Sequence, residues 1–216
     1  TMVAMPETSI GFLPDVGGTW LLSRAPGETG LYLGLTGARM NAADAIFAGF
    51  ADAYVPADNL PGLVSNLADG SAPDEAVSQY AAPAPDGTLK DLQDKIAEAF
   101  GLTDVKSCIA RLGEMSAGGD EWAAKTASMI ARNAPLALAS TFEAVHRARK
   151  LHKLEDCLSL EFDFAYRAIA GHDFLEGIRA MVIDKDRKPA WQPATLDEVT
   201  PAMVEGMFAP LGEDQL

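Results

Sequence analysis

Two carboxylates near the start of the chain have the residue types and spacing best suited to chemistry. Glu7 directly follows Pro6, and Asp15 precedes Gly17-Gly18, so the two acids are eight positions apart on either side of a short apolar run. Proline cannot donate to a strand ladder, and glycine lets backbone approach a ligand closely. Two carboxylates held on facing turns suit general acid–base or nucleophilic catalysis at a carbonyl. The alternative is a strand end followed by a helix-capping aspartate, without chemistry.

The motifs around this acid pair resemble those of the crotonase (enoyl-CoA hydratase/isomerase) superfamily. Residues 5–24 read MPETSIGFLPDVGGTWLLSR, and residues 35–55 read LTGARMNAADAIFAGFADAYV. Residues 165–199, AYRAIAGHDFLEGIRAMVIDKDRKPAWQPATLDEV, continue the similarity near the other end of the chain. The pairing of PET with PDVGG, together with the GHDFLEG turn, resembles the 3-hydroxyisobutyryl-CoA hydrolase branch.

The resemblance implies a fold, a reaction and roles for the two acids. The fold is α/β: the C-terminal portion of a crotonase-like ββα spiral core, followed by a mostly α-helical C-terminal region. The reaction is hydrolysis of an acyl-CoA thioester, 3-hydroxyisobutyryl-CoA or a related 3-hydroxyacyl-CoA, to the free acid and CoA in valine breakdown. Glu7 is the base that activates water or the nucleophile itself, and Asp15 orients the substrate hydroxyl or the water. Both contact the substrate, and no cofactor is needed, because coenzyme A is part of the substrate.

The same resemblance implies that an upstream half of the fold is absent from this chain. That half carries the backbone N–H donors of the oxyanion hole, so we expect an N-terminal piece of the same protein as partner and an inactive isolated chain. A homo-oligomer is left open. One alternative function is an enoyl-CoA hydratase or isomerase of the same superfamily. Another is a non-catalytic interaction or oligomerisation fragment.

Composition excludes several classes of function. A net charge of −14 argues against nucleic acid or an anionic membrane as the main partner. No run approaches the roughly eighteen apolar residues of a membrane span, and no histidine or cysteine pair has metal-ligand spacing. Cys108 and Cys157, the only cysteines, predict reduced core residues. No glycosylation sequon is present, so we expect a cytoplasmic protein. We also expect no bound metal, because no ligand pair has the required spacing.

The sequence predicts three regions. Residues 1–57 end the α/β core and carry the acid pair, with strands at 1–10 and 50–55 and short helices at 18–24, 28–36 and 42–48. Residues 58–88 hold four prolines and predict a linker with a single helical turn. Residues 89–216 show helical spacing of apolar residues and predict a helical region.

Helix signals divide the third region. Helices are predicted after Leu89, at 105–113 behind an Asp104 cap, and at 121–132. A long helix begins at Pro135 and its apolar stripe continues to Gly171. Asp173 and Glu176 predict a capping box for a helix over 174–183. Thr195 with Glu198, and Thr200-Pro201, each predict a last short helix.

Residues 146–153 form a basic cluster, HRARKLHK, that contrasts with the acidic chain. The favoured interpretation is a solvated helix face paired with Glu155, Asp156 or Glu161. The alternative is a binding site for the phosphates of coenzyme A.

Two single residues also have predicted roles. His172 predicts a turn between helices, and Trp191 predicts a contact that holds the C-terminal tail to the body.

Overall fold

Helices make up most of the structure, a computed structural model that describes residues 1–214. The final residues of the predicted helical region, Gln215 and Leu216, lie outside the described residues. The α-helices of the described part are α1 (Gly18–Arg24), α2 (Thr29–Thr36), α3 (Ala42–Phe47), α4 (Leu60–Ala68), α5 (Pro73–Tyr80), α6 (Gln93–Phe100), α7 (Val105–Ala117), α8 (Glu121–Ile130), α9 (Pro135–Ala148), α10 (Leu154–Ala170), α11 (His172–Ile178) and α12 (Pro201–Met207).

The two predicted strands are wrong. Within residues 1–214, extended backbone pairs only through single bridges, from Val3 to Met40 and from Tyr54 to Ala82. After Pro6 the chain turns into a 3₁₀ helix, Glu7–Ile10, instead of continuing as a strand. A strand needs neighbours to satisfy its backbone groups, and this part of the chain supplies only those two bridges. The strand content expected of an α/β fold is therefore absent from the described residues.

Residues 58–88 contain two packed helices, α4 and α5, where the sequence predicted a single helical turn. Each helix has a proline in its first turn, where the missing N–H costs nothing. Asn66 Nδ2 donates to Gln79 Oε1 at 2.7 Å, and the ring of Tyr80 covers Gly62. Two of these prolines lie in the first turn of a helix, so the interpretation that the prolines interrupt helical structure throughout residues 58–88 is wrong. The division of the chain into three domains stays a prediction.

Most helices of the third region lie where predicted, with two corrections. The long helix breaks at residues 149–153 into α9 and α10, and residues 195–199 form turns instead of a helix. The Asp104 and Thr200 side chains cap α7 and α12 by accepting from backbone N–H groups, as the sequence indicates.

The predicted capping box at α11 is also wrong, because its two acids bind the C-terminal tail. Asp173 Oδ1 accepts the N–H of Gln192 at 2.7 Å, and Glu176 Oε1 accepts that of Ala190 at 2.8 Å. Trp191 donates from Nε1 to the carbonyl oxygen of Arg132 at 3.3 Å, which joins the tail to the end of α8 as predicted.

Helix α9 lies between two hydrophobic clusters. Its residues Leu138, Phe142 and Val145 belong to the larger cluster, built mainly on α2, α6, α7 and α8. Its residue Ala144 belongs to a smaller cluster with Phe12 and residues of α10. Both predicted core cysteines are buried and free. None of the described helices is both long enough and apolar enough to cross a membrane.

Helix α11 packs directly on the 3₁₀ helix that carries Glu7. A Cβ atom added to Gly177 would overlap the backbone of Ile10, including its carbonyl oxygen. Only glycine permits this approach, and the rigid backbone of Ile10 has no room to yield.

We therefore expect Gly177→Ala to destabilise the protein. Forcing a methyl group against backbone costs about 1–3 kcal/mol of unfolding free energy, and the midpoint of urea unfolding should fall accordingly. Gly113→Ala is the matched control, since Gly113 is also helical and a Cβ there meets nothing within 4 Å. That control should be neutral or stabilised by up to about 1 kcal/mol. Equal unfolding midpoints for the two variants would contradict the tight contact.

Candidate active site

The backbone beside Glu7 is fixed by residues at the start of α9. Thr8 is fully buried, its hydroxyl accepts from Asn133 Nδ2 at 3.1 Å, and its carbonyl accepts the N–H of Ala134 at 3.0 Å. The same Asn133 amide nitrogen donates to the carbonyl of Leu35 at 2.9 Å. Because the residue after Glu7 is held on both sides, the 3₁₀ helix has little freedom to reorient the glutamate.

The Glu7 side chain is partly buried, and one oxygen of its carboxyl group is fully buried. Its Oε2 has no hydrogen-bond partner in the described structure. Burial raises the pKa of Glu7 from 4.5 to about 7, with a further contribution from the negative charge of Asp15. A buried acceptor without a partner is costly to folding. A carboxyl group with a pKa near neutrality is suited to taking and returning a proton.

Asp15 lies in a turn with strained backbone. Val16 and Gly17 both have left-handed φ values, 56° and 84°, and this conformation is unfavourable for a β-branched residue such as valine. The N–H of Gly18 donates to the carbonyl of Asp15 at 2.8 Å, which closes the turn before α1. Burial raises the pKa of the Asp15 carboxyl above its ordinary value.

A third carboxylate, that of Glu161 in α10, accepts hydrogen bonds from this turn. Its Oε2 accepts the N–H of Gly17 at 2.8 Å. Its Oε1 accepts the N–H of Thr19 at 2.8 Å and the Thr19 hydroxyl at 2.5 Å. Glu161 is only 2% exposed, and its pKa is raised by burial and by the charge of Asp15, against the lowering effect of these hydrogen bonds.

The contact of Glu161 with this turn was not predicted from the sequence. Glu161 was one of three acids considered as partners of the basic cluster, and it forms no ion pair with that cluster in the described structure. In the sequence Glu161 is one acid among several on an amphipathic helix, and no local motif marks its contact with Gly17, 144 positions away.

The arrangement brings Glu7 and Asp15 close enough for the charge of one to raise the pKa of the other. Two cavities of the described residues lie elsewhere: one of about 370 Å³ between α7, α9 and the region of α12, and one of about 420 Å³ beside Asp44 and Lys90. A smaller one, of about 70 Å³, lies beside Asp173. The acid pair thus lines none of these three cavities.

The basic cluster is partly neutralised by acids other than those expected. Arg147 pairs with Glu143 and Glu205, each at 2.7 Å, and Arg149 pairs with Glu28 at 2.6 Å. His146 instead stacks on the ring of Phe142. The arginines are therefore ion-paired, as the favoured interpretation expects of this cluster, but the expected partners are wrong: only Glu143 lies on the same helix, and Glu205 and Glu28 belong to other parts of the chain. Lys150, His152 and Lys153 are exposed, and phosphate binding there stays a prediction.

Metal binding finds no support within residues 1–214. No group of three or more histidine, cysteine, aspartate or glutamate side chains is arranged there to hold an ion. The expectations of no metal and no cofactor stay predictions.

Curated proteins similar to this chain are thioester hydrolases by name. The 3-hydroxyisobutyryl-CoA hydrolase, mitochondrial, of Xenopus tropicalis is 34% identical over 226 residues, which covers 100% of this chain and 58% of the relative. The protein of the same name in Dictyostelium discoideum is 31% identical, with the same coverage. The chain therefore spans 58% of the length of these relatives.

Solved structures similar to this chain carry hydratase and dehydratase names. A carnitinyl-CoA dehydratase from Mycobacterium thermoresistibile is 44% identical with a TM-score of 0.91, and an enoyl-CoA hydratase from Rhodobacter sphaeroides is 45% identical with a TM-score of 0.89. Each match covers 100% of this chain and 61% of the other.

These relatives also correct the expected location. Hydrolases from frog, chicken, zebrafish and slime mould are all named as mitochondrial, and this finding overturns the expectation of a cytoplasmic protein.

A family described as enoyl-CoA hydratase/isomerase matches residues 1–208. Because the match extends over nearly the whole chain, and because the similar structures share the fold, the protein belongs to the enoyl-CoA hydratase/isomerase (crotonase) family.

Proposed function

We propose that the protein hydrolyses an acyl-CoA thioester, 3-hydroxyisobutyryl-CoA or a related 3-hydroxyacyl-CoA, with Glu7 and Asp15 at the reacting centre. The observation that carries this proposal is the Glu7 carboxyl group, which combines a buried oxygen without a partner, a pKa near 7 and a neighbouring Asp15. The names of the curated relatives support the substrate class.

The chemistry requires one proton acceptor and one stabilised oxyanion. The Glu7 carboxylate takes a proton from water as the water oxygen attacks the thioester carbon. The C–S bond then breaks, and the proton ends on the sulfur of CoA. In the alternative course, the Glu7 carboxylate attacks the thioester carbon directly, the C–S bond breaks and CoA leaves as its thiolate. Water then cleaves the resulting anhydride to the free acid and the Glu7 carboxylate, and the proton it releases ends on the sulfur of CoA. Asp15 orients the substrate hydroxyl or the attacking water.

Negative charge on the thioester oxygen needs backbone N–H donors, each worth about 2.7–4 kcal/mol of transition-state stabilisation. We place those donors, and the wall of the cavity that faces Glu7, in the part of the relatives that this chain does not span. That placement is compatible with the acid pair lining none of the three cavities described above.

Hydration of an enoyl-CoA is the second candidate function. It is favoured by the 44% and 45% identity to structures described as a dehydratase and a hydratase. A hydratase would use Glu7 to move a proton without breaking the C–S bond. Release of free thiol from 3-hydroxyacyl-CoA esters, compared with loss of the conjugated double bond of an enoyl-CoA, separates the two in the full-length protein.

Glu7→Gln should abolish most of the thiol release. The variant retains the shape but cannot accept a proton, so we expect kcat to fall by about 10²–10⁴ with little change in KM. Glu75→Gln, at an exposed position of α5, is the control and should behave as the wild type. Thiol release by the Glu7 variant at a near wild-type rate would remove Glu7 from its role.

The acid limb of the pH profile should respond to Asp15. If ionised Glu7 is the base, kcat/KM falls as the pH drops through about 7. Asp15→Asn removes a negative charge that raises this pKa, so the midpoint should move to lower pH. It should stay above 4.5, because burial is the larger cause of the shift. Asp156→Asn, an exposed position on α10, should leave the midpoint in place. A midpoint that is unchanged or higher in Asp15→Asn would contradict the coupling.

Glu7→Gln should also stabilise the fold, but only at high pH. The folded-state pKa of about 7 lies above the ordinary 4.5, so the stability present below 4.5 is lost as the pH rises through 7. Glutamine carries no charge and avoids that loss. With allowance for partial exposure, we expect the variant to be more stable by about 1–2 kcal/mol near pH 8 and no more stable near pH 4. Urea unfolding at the two pH values measures this, and a pH-independent difference would contradict it.

A further inference from the structure

We propose that Glu161 is a positioning residue for the reaction: by binding the backbone of Gly17 and the backbone and hydroxyl of Thr19, it fixes the turn that presents Asp15 beside Glu7. The inference rests on the proposed function for its activity readouts, although the contact itself does not.

The first support is the way both oxygens of Glu161 are used. One oxygen accepts the N–H of Gly17 and the other accepts the N–H and hydroxyl of Thr19, at 2.5–2.8 Å. No lysine or arginine forms an ion pair with Glu161 in the described structure. A buried carboxylate without a cation is expensive, so all of its compensation comes from this one turn.

The second support is the conformation that the contact maintains. Two successive left-handed residues, Val16 and Gly17, turn the N–H groups of residues 17 and 19 toward the same point. Such a concave arrangement of N–H groups attracts an anion, and here the anion is a side chain of the same protein. Strained backbone persists only where surrounding contacts over-determine it. The direction of the Asp15 side chain, one residue before Val16, depends on that strained turn.

The third support is electrostatic. The charge of Asp15 raises the pKa of Glu7 on one side and of Glu161 on the other. Asp15 is therefore within electrostatic range of both glutamates. Removal of the Glu161 charge should favour ionisation of Asp15.

A purely structural role for Glu161 makes a different prediction from a positioning role. A structural cap on α1 would alter stability and leave turnover by the folded protein unchanged. A residue that acts through Asp15 would alter kcat, and would lose this effect once Asp15 is replaced, because coupled residues are not additive.

The test is a double-mutant cycle in the full-length protein with Glu161→Gln and Asp15→Asn. Glutamine cannot accept from both N–H groups while keeping its own amide hydrogens away from them, so the turn should loosen. We expect Glu161→Gln alone to lower kcat by about tenfold or more with KM changed less than about threefold. In the Asp15→Asn background the same change should lower kcat by less than about twofold. Glu155→Gln, exposed on the same helix, is the control and should match the wild type.

Amide hydrogen exchange at Gly17 and Thr19 gives a readout independent of activity, and both amides should exchange faster in Glu161→Gln. Faster exchange with wild-type kcat would show a structural cap only and overturn the proposal. Equal losses of kcat in both backgrounds would overturn it as well. If Glu161→Gln does not fold, Thr19→Val removes one donor and keeps the carboxylate. It should lower kcat several-fold, and a wild-type kcat would overturn the proposal.

Failure of the proposed function is distinguishable from failure of this inference. If the wild-type protein releases no thiol from 3-hydroxyacyl-CoA esters but hydrates an enoyl-CoA, hydrolysis is excluded and the same cycle is measured on hydration. If neither reaction occurs, carbon NMR titration of the Asp15 carboxyl decides. A lower pKa in Glu161→Gln supports the coupling, and an unchanged value overturns it.

Discussion

The hydrogen bonds from Gly17 and Thr19 to the buried carboxylate of Glu161 are the interaction on which the candidate site depends. They join a glycine turn at one end of the chain to the middle of a helix near the other end. Most helix termini are satisfied by their own first residues or by water. Here the partner comes from another element, and a charged group is buried to supply it. The position of Asp15 is consequently a property of the tertiary structure.

Glu7 and the neighbouring Thr8 differ in how completely their polar groups are hydrogen-bonded. Thr8 is completely buried and has its hydroxyl and carbonyl bonded to the start of α9. Glu7, one residue earlier, keeps one buried oxygen without a partner. Folded proteins satisfy nearly all buried polar groups, and Glu7 is one of a few exceptions among the described residues. Thr8 therefore anchors the backbone, while Glu7 retains an oxygen that is free to accept a hydrogen bond.

Sequence alone predicted features that depend on nearby residues. The PET and PDVGG motifs indicated the acid pair, and side-chain caps at Asp104 and Thr200 were found where expected. Features set by distant contacts were missed. Pro61 and Pro73 were interpreted as breaks in helical structure, although each lies in the first turn of a helix. The two helices, α4 and α5, pack against each other. Strand pairing at 1–10 depends on neighbours that the described residues do not supply. Glu161 has no local signature, since its partners are 142 and 144 positions away.

The dependence of both acid-bearing turns on distant partners has a consequence for the order of assembly. Thr8 meets Asn133 across 125 positions, and Gly17 meets Glu161 across 144. Closing loops of that length loses entropy before it gains contacts, so such pairs form late. During synthesis from the amino terminus, Glu7 and Asp15 emerge before α10 but gain their geometry only after α10 has left the ribosome and packed against the turn. Partly folded forms of the protein should therefore lack the arrangement of Glu7 and Asp15 on which the proposed reaction depends.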